Sequence, residues 1–458
     1  MSVPVEVSRS QRLRPLVGVL AGFGIAQLGS RIAAIALPWF VLVSTGSAAQ
    51  TGLVAFCEMA PYVLAKALSG PVVDRIGPRV VSWTTDLVSA LSIGLVPLLD
   101  AAGALPFPML LALVALVGAT RGPGDLAKQV LIPEAAERSA VPLERATGIS
   151  GAMERLASTA GALAGGGLVA LIGPLAGLGF NAACFVLGSV IIGLTLPRGM
   201  GRAVPAEPGS EGEERGYWGQ LAVGFHHLRR TPLLLTLAGA ITLTNLLDAA
   251  LVAVLLPVWA NETGFGPSAI GLLGAAMGTT AILGSVIAAS FAHRLRRRPV
   301  LVIGIIATGL PRYLALAWAL TGQLPLWGVA AVFAVCGFGA GFLNPIIGAL
   351  AIELVPRPLL GRVTALFGSL AWAGIPLGGV LGGLAVAGVG VGPVLVACAV
   401  LYLLPGPVIW VRPEWRAMER ARRRQRTDAT DATAGTGTEA EGGDGSAGDA
   451  EDRGRLAT

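Results

Sequence analysis

Several ionisable residues lie inside long apolar stretches of this sequence: Arg31, Glu58, Lys66, Asp86, Arg121, Asp125, Glu154 and Arg155 in the first half, Asp248 and Arg312 in the second. A charge at bilayer depth is costly, so such residues pair with one another, line a water-filled route or relay protons. A carboxylate that carries a proton must change protonation as its access alternates. Burial raises its pKa, and a nearby arginine lowers it again. Glu58, Glu154 and Asp248 are the candidates for that chemistry, each weighed against a static salt bridge between helices. Asp248 has no sequence-local cation, and Asn245 precedes it by one turn. Arg121, Asp125 and Lys128 fall at i, i+4 and i+7 on one helical face, which allows an internal Arg121–Asp125 ion pair. Glu154 and Arg155 are neighbours in sequence, so they point about 100° apart on a helix and are expected to have different partners. Arg31, Asp86, Arg121, Asp125, Arg155, Arg312 and Asn344 complete the set of cavity or ion-pair candidates.

The elements that carry these residues follow from composition. Of 458 residues, 54% are hydrophobic and 13% charged, about half the charge of a soluble domain. Apolar runs longer than the roughly 18 to 20 residues that cross a bilayer recur along the chain. Their continuity favours helices over barrel strands. Twelve spans are expected at about 15–44, 48–70, 78–100, 105–130, 142–172, 175–196, 232–260, 267–292, 298–321, 325–353, 360–386 and 390–411. The fold class is therefore all-α integral membrane. Arg9, Arg12 and Arg14 precede the first apolar run like the start of a signal peptide, but the run is too long and lacks a small-residue cleavage site. The four cysteines, Cys57, Cys184, Cys336 and Cys398, all fall in apolar stretches and read as small core hydrophobes.

Even-numbered loops carry the arginines (Arg75 and Arg79; Arg138 and Arg145; Arg229 and Arg230; Arg294, Arg296, Arg297 and Arg298; Arg357 and Arg362), and odd-numbered loops have no Lys or Arg. The positive-inside rule then places both termini in the cytoplasm of a multi-pass cell-membrane protein. The net charge of +6 is a topology signal rather than a nucleic-acid footprint. The expected organisation is a cytoplasmic N-terminus (1–14), a six-helix bundle (15–196), a polar linker (197–231), a second six-helix bundle (232–412) and a disordered tail (413–458). Trp218, Leu221, Phe225 and Leu228 share one helical face and predict an interfacial helix in the linker. His226 and His227 read there as ordinary interfacial residues.

The halves match at an offset of 219 positions. ALPWF around Pro38 sits opposite LLPVW around Pro257, and SGPVVDRIGPRV opposite AASFAHRLRRRP. LIPEAAERSAVPLERATG also resembles LVPRPLLGRVTAL. Two six-helix repeats fit a transporter whose halves rock about a central site.

These residues resemble the major facilitator superfamily over most of 10–412. GPVVDRIGPR resembles the family's G-x-x-x-D-R-x-G-x-R loop signature, with Gly70, Asp74, Arg75, Gly77 and Arg79 all matching. The resemblance implies that this loop helps gate the cytoplasmic side. Gly70 would permit close helix approach, Gly77 a turn, and Asp74 a cap or ion pair. The fifth span resembles the antiporter signature at Gly148, Gly161, Gly165 and Gly166, although Ala157 and Ala162 replace a glycine and the proline. A purely packing role for these glycines stays open. RGPG weakly resembles a helix-four arginine signature. Segments such as QLGSRIAAIALPWFVLVSTGS and EMAPY are similar to the drug and siderophore exporter branch, including macrolide-efflux-like and enterobactin-exporter-like proteins. A lysophospholipid-flipping relative would share much of this.

The expected function is proton-coupled export of a bulky amphipathic small molecule. Solute import, lysolipid flipping and a non-transporting sensor are the alternatives. Clustered histidines, paired interfacial carboxylates and metal-type spacings are lacking, which argues against an enzyme or a metal site. There is no P-loop. No cofactor is expected beyond the proton gradient. The partners would be substrate, protons and lipid, without nucleic acid, and the assembly a monomer. Trp39, Trp259 and Trp372 read as cavity-lining, lipid-facing or packing residues.

Overall fold

The computed structural model describes residues 9–197, 199–202, 225–226, 228–291, 296–355 and 360–416. Among the described residues the ordered elements are all helices. They are α1 (Arg9–Thr45), α2 (Ala48–Leu68), α3 (Gly70–Ile76), α4 (Pro78–Ala101), α5 (Phe107–Arg138), α6 (Leu143–Ile172) and α7 (Pro174–Thr195) in the first half. The second half has α8 (Pro232–Ala250), a π-helical turn (Leu251–Leu255), α9 (Leu256–Glu262), α10 (Gly266–Phe291), α11 (Arg297–Ala319), α12 (Leu326–Glu353), α13 (Leu360–Trp372), α14 (Gly374–Val389), α15 (Val391–Leu401) and α16 (Pro405–Val411). Among the described residues, twelve stretches are long and apolar enough to cross a membrane. The short α3 is the loop helix between the second and third spans.

Local chemistry sets the ends. Ser47 caps α2 by accepting from the Gln50 N–H at 3.3 Å. Gly77, Gly173 and Gly390, at φ of +94°, +89° and +81°, turn the chain between successive helices. Pro257 follows the π turn. A proline inside a regular helix lacks the N–H and clashes with the preceding turn, and the π insertion absorbs both effects. The eleventh span breaks at Ala373, between α13 and α14, and the twelfth after α15. The fourth span runs to Arg138 rather than ending near 130. Its end stays helical because Leu131, Ile132, Ala135 and Ala136 are buried against neighbouring helices; Arg138 also pairs with Glu134 at 2.8 Å, and the second Glu134 oxygen accepts from the Gly201 N–H. Much of the predicted interfacial helix, His227 included, lies outside the described residues, as does the tail beyond 416. Phe225, His226 and residues 228–230 are helical.

In the first half α1 packs against α6 and α7, α4 against α5 and α7, and α2 against α5. In the second, α10 and α11 pack against α12, and α8 against α14. The halves meet where α2 crosses α14 and α6 crosses α10. The duplication is visible in this packing. A Cβ on Gly118 or Gly122 of α5 would run into the carbonyls of Glu58 and Tyr62. A Cβ on Gly337 or Gly341 of α12 would run into those of Met277 and Ala281. All four partners and all four glycines obey the offset of 219, so the same close helix contact is built twice. Apolar side chains face outward around the bundle, Leu171 being 86% exposed, as a lipid-facing surface requires.

Candidate functional site

Between the halves lies a cavity of about 360 Å³ whose polar wall is lined by Arg31, Glu58, Tyr62, Lys66, Arg121, Asp125 and Glu154 from the first half. The second half contributes Asn245, Asp248 and Trp372, and Val54, Val252 and Ala253 supply apolar wall. The volume falls in the range of small-molecule sites. The halves close on each other at the end opposite the termini, where Gly52 abuts Gly379 and Gly383, and Gly166 abuts Gly271. At the terminal end a Cβ on Gly148 or Gly151 of α6 would meet open space.

Two networks organise the wall. Arg121 donates to Glu58 at 2.8 Å, and its guanidinium lies over the Tyr62 ring, 4.5 Å from the centroid. The Tyr62 hydroxyl donates to Asp125 at 3.2 Å. Lys66 donates to the same hydroxyl at 3.4 Å and sits 4.9 Å over Trp372. Tyr62 stacks on Trp372 with centroids 6.3 Å apart, a contact between the halves. In the second network Arg312 donates to Asp248 and to the Tyr402 hydroxyl at 3.3 Å. Tyr402 in turn donates to the other Asp248 oxygen at 3.4 Å. Close by, Thr242 and Asn245 donate to the Leu370 and Ala371 carbonyls at 2.8 and 2.9 Å. Those carbonyls precede the Ala373 break, where the Leu370 carbonyl also accepts from the Ala373 N–H at 3.2 Å.

The predicted residues separate into those inside this cavity and those outside it. Arg31, Glu58, Arg121, Asp125, Glu154 and Asp248 line it. Arg121 and Asp125 share a face but do not pair. Arginine preceding an acid by four residues is the weaker order on a helix, and α2 offers Glu58 and Tyr62 instead. Asp248, without a sequence-local cation, receives Arg312 from the ninth span. Asp86 lies behind the wall, where Lys128 donates to it at 2.6 Å with both side chains buried. Arg155 is exposed and does not line the cavity. Neither it nor Glu154 has an ion-pair partner among the described residues. Asn344 lies on α12, and its side chain is outside the described residues. Trp259 is fully buried and donates to the Leu316 carbonyl at 3.1 Å, so it packs rather than lines the cavity.

In the loop motif, Gly77 makes the turn between α3 and α4. Arg79 donates to the Gly193 and Pro197 carbonyls at 3.1 and 3.0 Å, tying the loop to the end of α7. Gly70 differs from expectation: a Cβ there would meet nothing within contact distance, and α3 instead packs through the buried Val73. Asp74 and Arg75 are exposed. Of the antiporter-like glycines, Gly161 and Gly165 pack on α1, Gly166 packs on Gly271 of the other half, and Gly148 makes no close approach. Sequence reasoning missed Tyr62 and Tyr402. A lone tyrosine in an apolar run carries no signal until a charged partner from another span is seen.

A profile of the Major Facilitator Superfamily matches residues 19–247 and 238–434. The chain belongs to the major facilitator superfamily. It is 30% identical over 377 residues to the multidrug efflux pump Tap of Mycolicibacterium fortuitum, covering 80% of this chain and 88% of the pump. It is 29% identical to Tap of Mycobacterium tuberculosis strain H37Rv, over 81% and 86%. In fold it resembles a mutant of the nucleoside transporter NupG, with a TM-score of 0.70 and 14% identity over 87% of this chain and 99% of that one. It also resembles a bacterial homologue of the human lysosomal transporter Spinster in an inward-facing, unoccupied conformation, with a TM-score of 0.59 and 16% identity over 88% and 94%. The family makes this a multi-pass membrane transporter, with its cavity where the two six-helix halves meet.

Proposed function

We propose that this transporter exports bulky amphipathic small molecules, antibiotic, drug or siderophore in kind, across the cell membrane in exchange for protons. The observation that carries the reading is the cavity between the halves, where carboxylates from both halves share one wall with aromatic and apolar surface. Trp372, Tyr62, Val54 and Val252 offer contact to an apolar body, while Arg31, Lys66, Asp125 and Glu154 offer partners to its polar groups. Glu58 and Asp248 each hold an arginine. A proton taken by either carboxyl would exchange an ion pair for a neutral group and free that arginine for another partner. Such a change in pairing is what a two-state helix bundle needs as its bias. Glu154 is the third carrier candidate.

The arginine-rich loops support a cytoplasmic location for both termini, and in this reading the terminal end of the cavity opens inward and the glycine contacts seal the outside. In the opposite state the loop of Asp74 and Arg79 would hold the cytoplasmic side shut. The proton gradient supplies the energy, no cofactor is required, and a single chain forms the whole route. Relatives named as multidrug efflux pumps support export over import.

The test is proton release from acidified everted vesicles containing the protein, read with a pH-sensitive dye. Macrolides, siderophores, cationic dyes and lysolipids are added in turn. Collapse of the gradient by one compound, only with the protein present, is the expected result and names the substrate class. No response from well-folded protein across the panel would move the importer and flippase readings ahead.

A further inference from the structure

A second concavity, about 660 Å³, lies at the terminal end of the first half, apart from the transport cavity. Its walls are the start of α1, the start of α6 and the connection between α5 and α6. The floor is apolar, with Leu16, Leu20 and Met153 among its residues, and among the described residues no acidic one lines it. Arg12 and Arg145, both exposed, stand at its rim. Ser139 lines it too: the residue is 3% exposed, and its hydroxyl has no hydrogen-bond partner among the described residues. An unpaired buried hydroxyl is costly, and an acceptor from outside the chain would relieve it.

The groove faces lipid. On α6, Thr159, Ala162 and Gly166 turn toward the other half, and Ala157, Gly161 and Gly165 toward α1 or its side of the helix. Ile149, Leu156 and Leu163, spaced by seven, occupy the remaining face and are 39%, 65% and 55% exposed. They continue the groove wall toward mid-membrane as an apolar track one acyl chain wide. The two arginines lie at the ends of spans, at the level of lipid headgroups.

We propose that this groove binds an anionic phospholipid. The phosphate sits between Arg12 and Arg145 and accepts from Ser139, and one acyl chain lies along Ile149 and Leu156. Charge complementarity selects the occupant: two cations without a lining acid favour an anion, and the apolar floor favours one that carries hydrocarbon. The site is separate from the transport cavity and does not depend on the substrate.

The test uses the purified full-length chain in detergent and native mass spectrometry, titrating dioleoyl phosphatidylglycerol against dioleoyl phosphatidylcholine. Two arginines near a headgroup predict about 30-fold tighter binding of the anionic lipid. Arg12→Gln with Arg145→Gln removes most of that preference, and Ser139→Ala lowers affinity several-fold, while the control Arg416→Gln leaves it unchanged. Size-exclusion profiles report folding, and single Arg12→Gln, at an exposed position, is the fallback variant. Equal binding of the two lipids overturns the proposal. So does a preference that survives the double variant, or one that falls equally in the control. Glycerol phosphate binding as tightly as the lipid overturns it in favour of a soluble anion.

Discussion

The Arg312 guanidinium on α11 donates to the Asp248 carboxylate on α8, and the Tyr402 hydroxyl closes the pair from the break in the twelfth span. Three spans of the second half thus converge on one carboxylate at the cavity wall. Gly309 makes the convergence possible, since any Cβ there would overlap the Tyr402 ring.

Asp248→Asn keeps the shape of this centre but cannot release a proton. Substrate-driven proton release in vesicles should fall to near background while the protein still purifies as a folded, monodisperse peak. Unchanged proton-coupled transport would make Asp248 structural. Arg312→Met leaves a carboxylate uncompensated and should cost about 3–5 kcal/mol of stability, read by denaturant unfolding in mixed micelles.

Glu58 and Arg121 invite a double-mutant cycle. Glu58→Gln, Arg121→Gln and their combination should give an interaction energy of about 0.5–3 kcal/mol. If the pair only clamps α2 to α5, the double variant regains transport. If Glu58 carries the proton, transport stays lost even where stability returns.

The Asp86–Lys128 pair sits behind the cavity wall, fully enclosed. Lys128→Leu alone should destabilise by about 3–5 kcal/mol, and Asp86→Leu with Lys128→Leu should recover most of it. Transport by the double variant would assign the pair to packing. Loss of transport at normal stability would assign it a part in the cycle.

Gly166 and Gly271 meet backbone to backbone across the two halves. Gly166→Val cannot make that contact and should open the seal. Spin labels on the first and fifth odd-numbered loops, read by pulsed electron resonance, should show longer separations, and transport should drop about tenfold or more. Unchanged distances would mean that α6 and α10 do not form the seal.

Asp74→Asn should slow cycling severalfold with little loss of stability, because Asp74 is exposed and has no ion-pair partner among the described residues. Normal transport by this variant would remove the gating role from the loop. Arg79→Ala should behave differently. It severs two bonds to the end of α7 and should lower stability by about 1–3 kcal/mol.

The sequence alone determined the spans, because a membrane span is a one-dimensional property: about twenty apolar residues between polar ends. The same reasoning placed charged residues such as Arg31 and Asp248 at depth and found the repeat offset that Gly118 and Gly337 later obey in packing. The end of the fourth span is not legible in hydropathy, which falls near Glu134 while the helix, packed through Ala135 and Ala136, continues to Arg138. Tertiary structure alone decided the partners. Glu58 takes Arg121, Asp248 takes Arg312, and Asp86 leaves the cavity for Lys128, none of which spacing along one helix can reveal. Each choice depends on how far a helix is rotated about its axis. Neighbouring residues differ by about 100°, and the rotation is set by where glycines let one backbone press against another. That information is spread over both helices of every contact, so it becomes readable only when they are packed together.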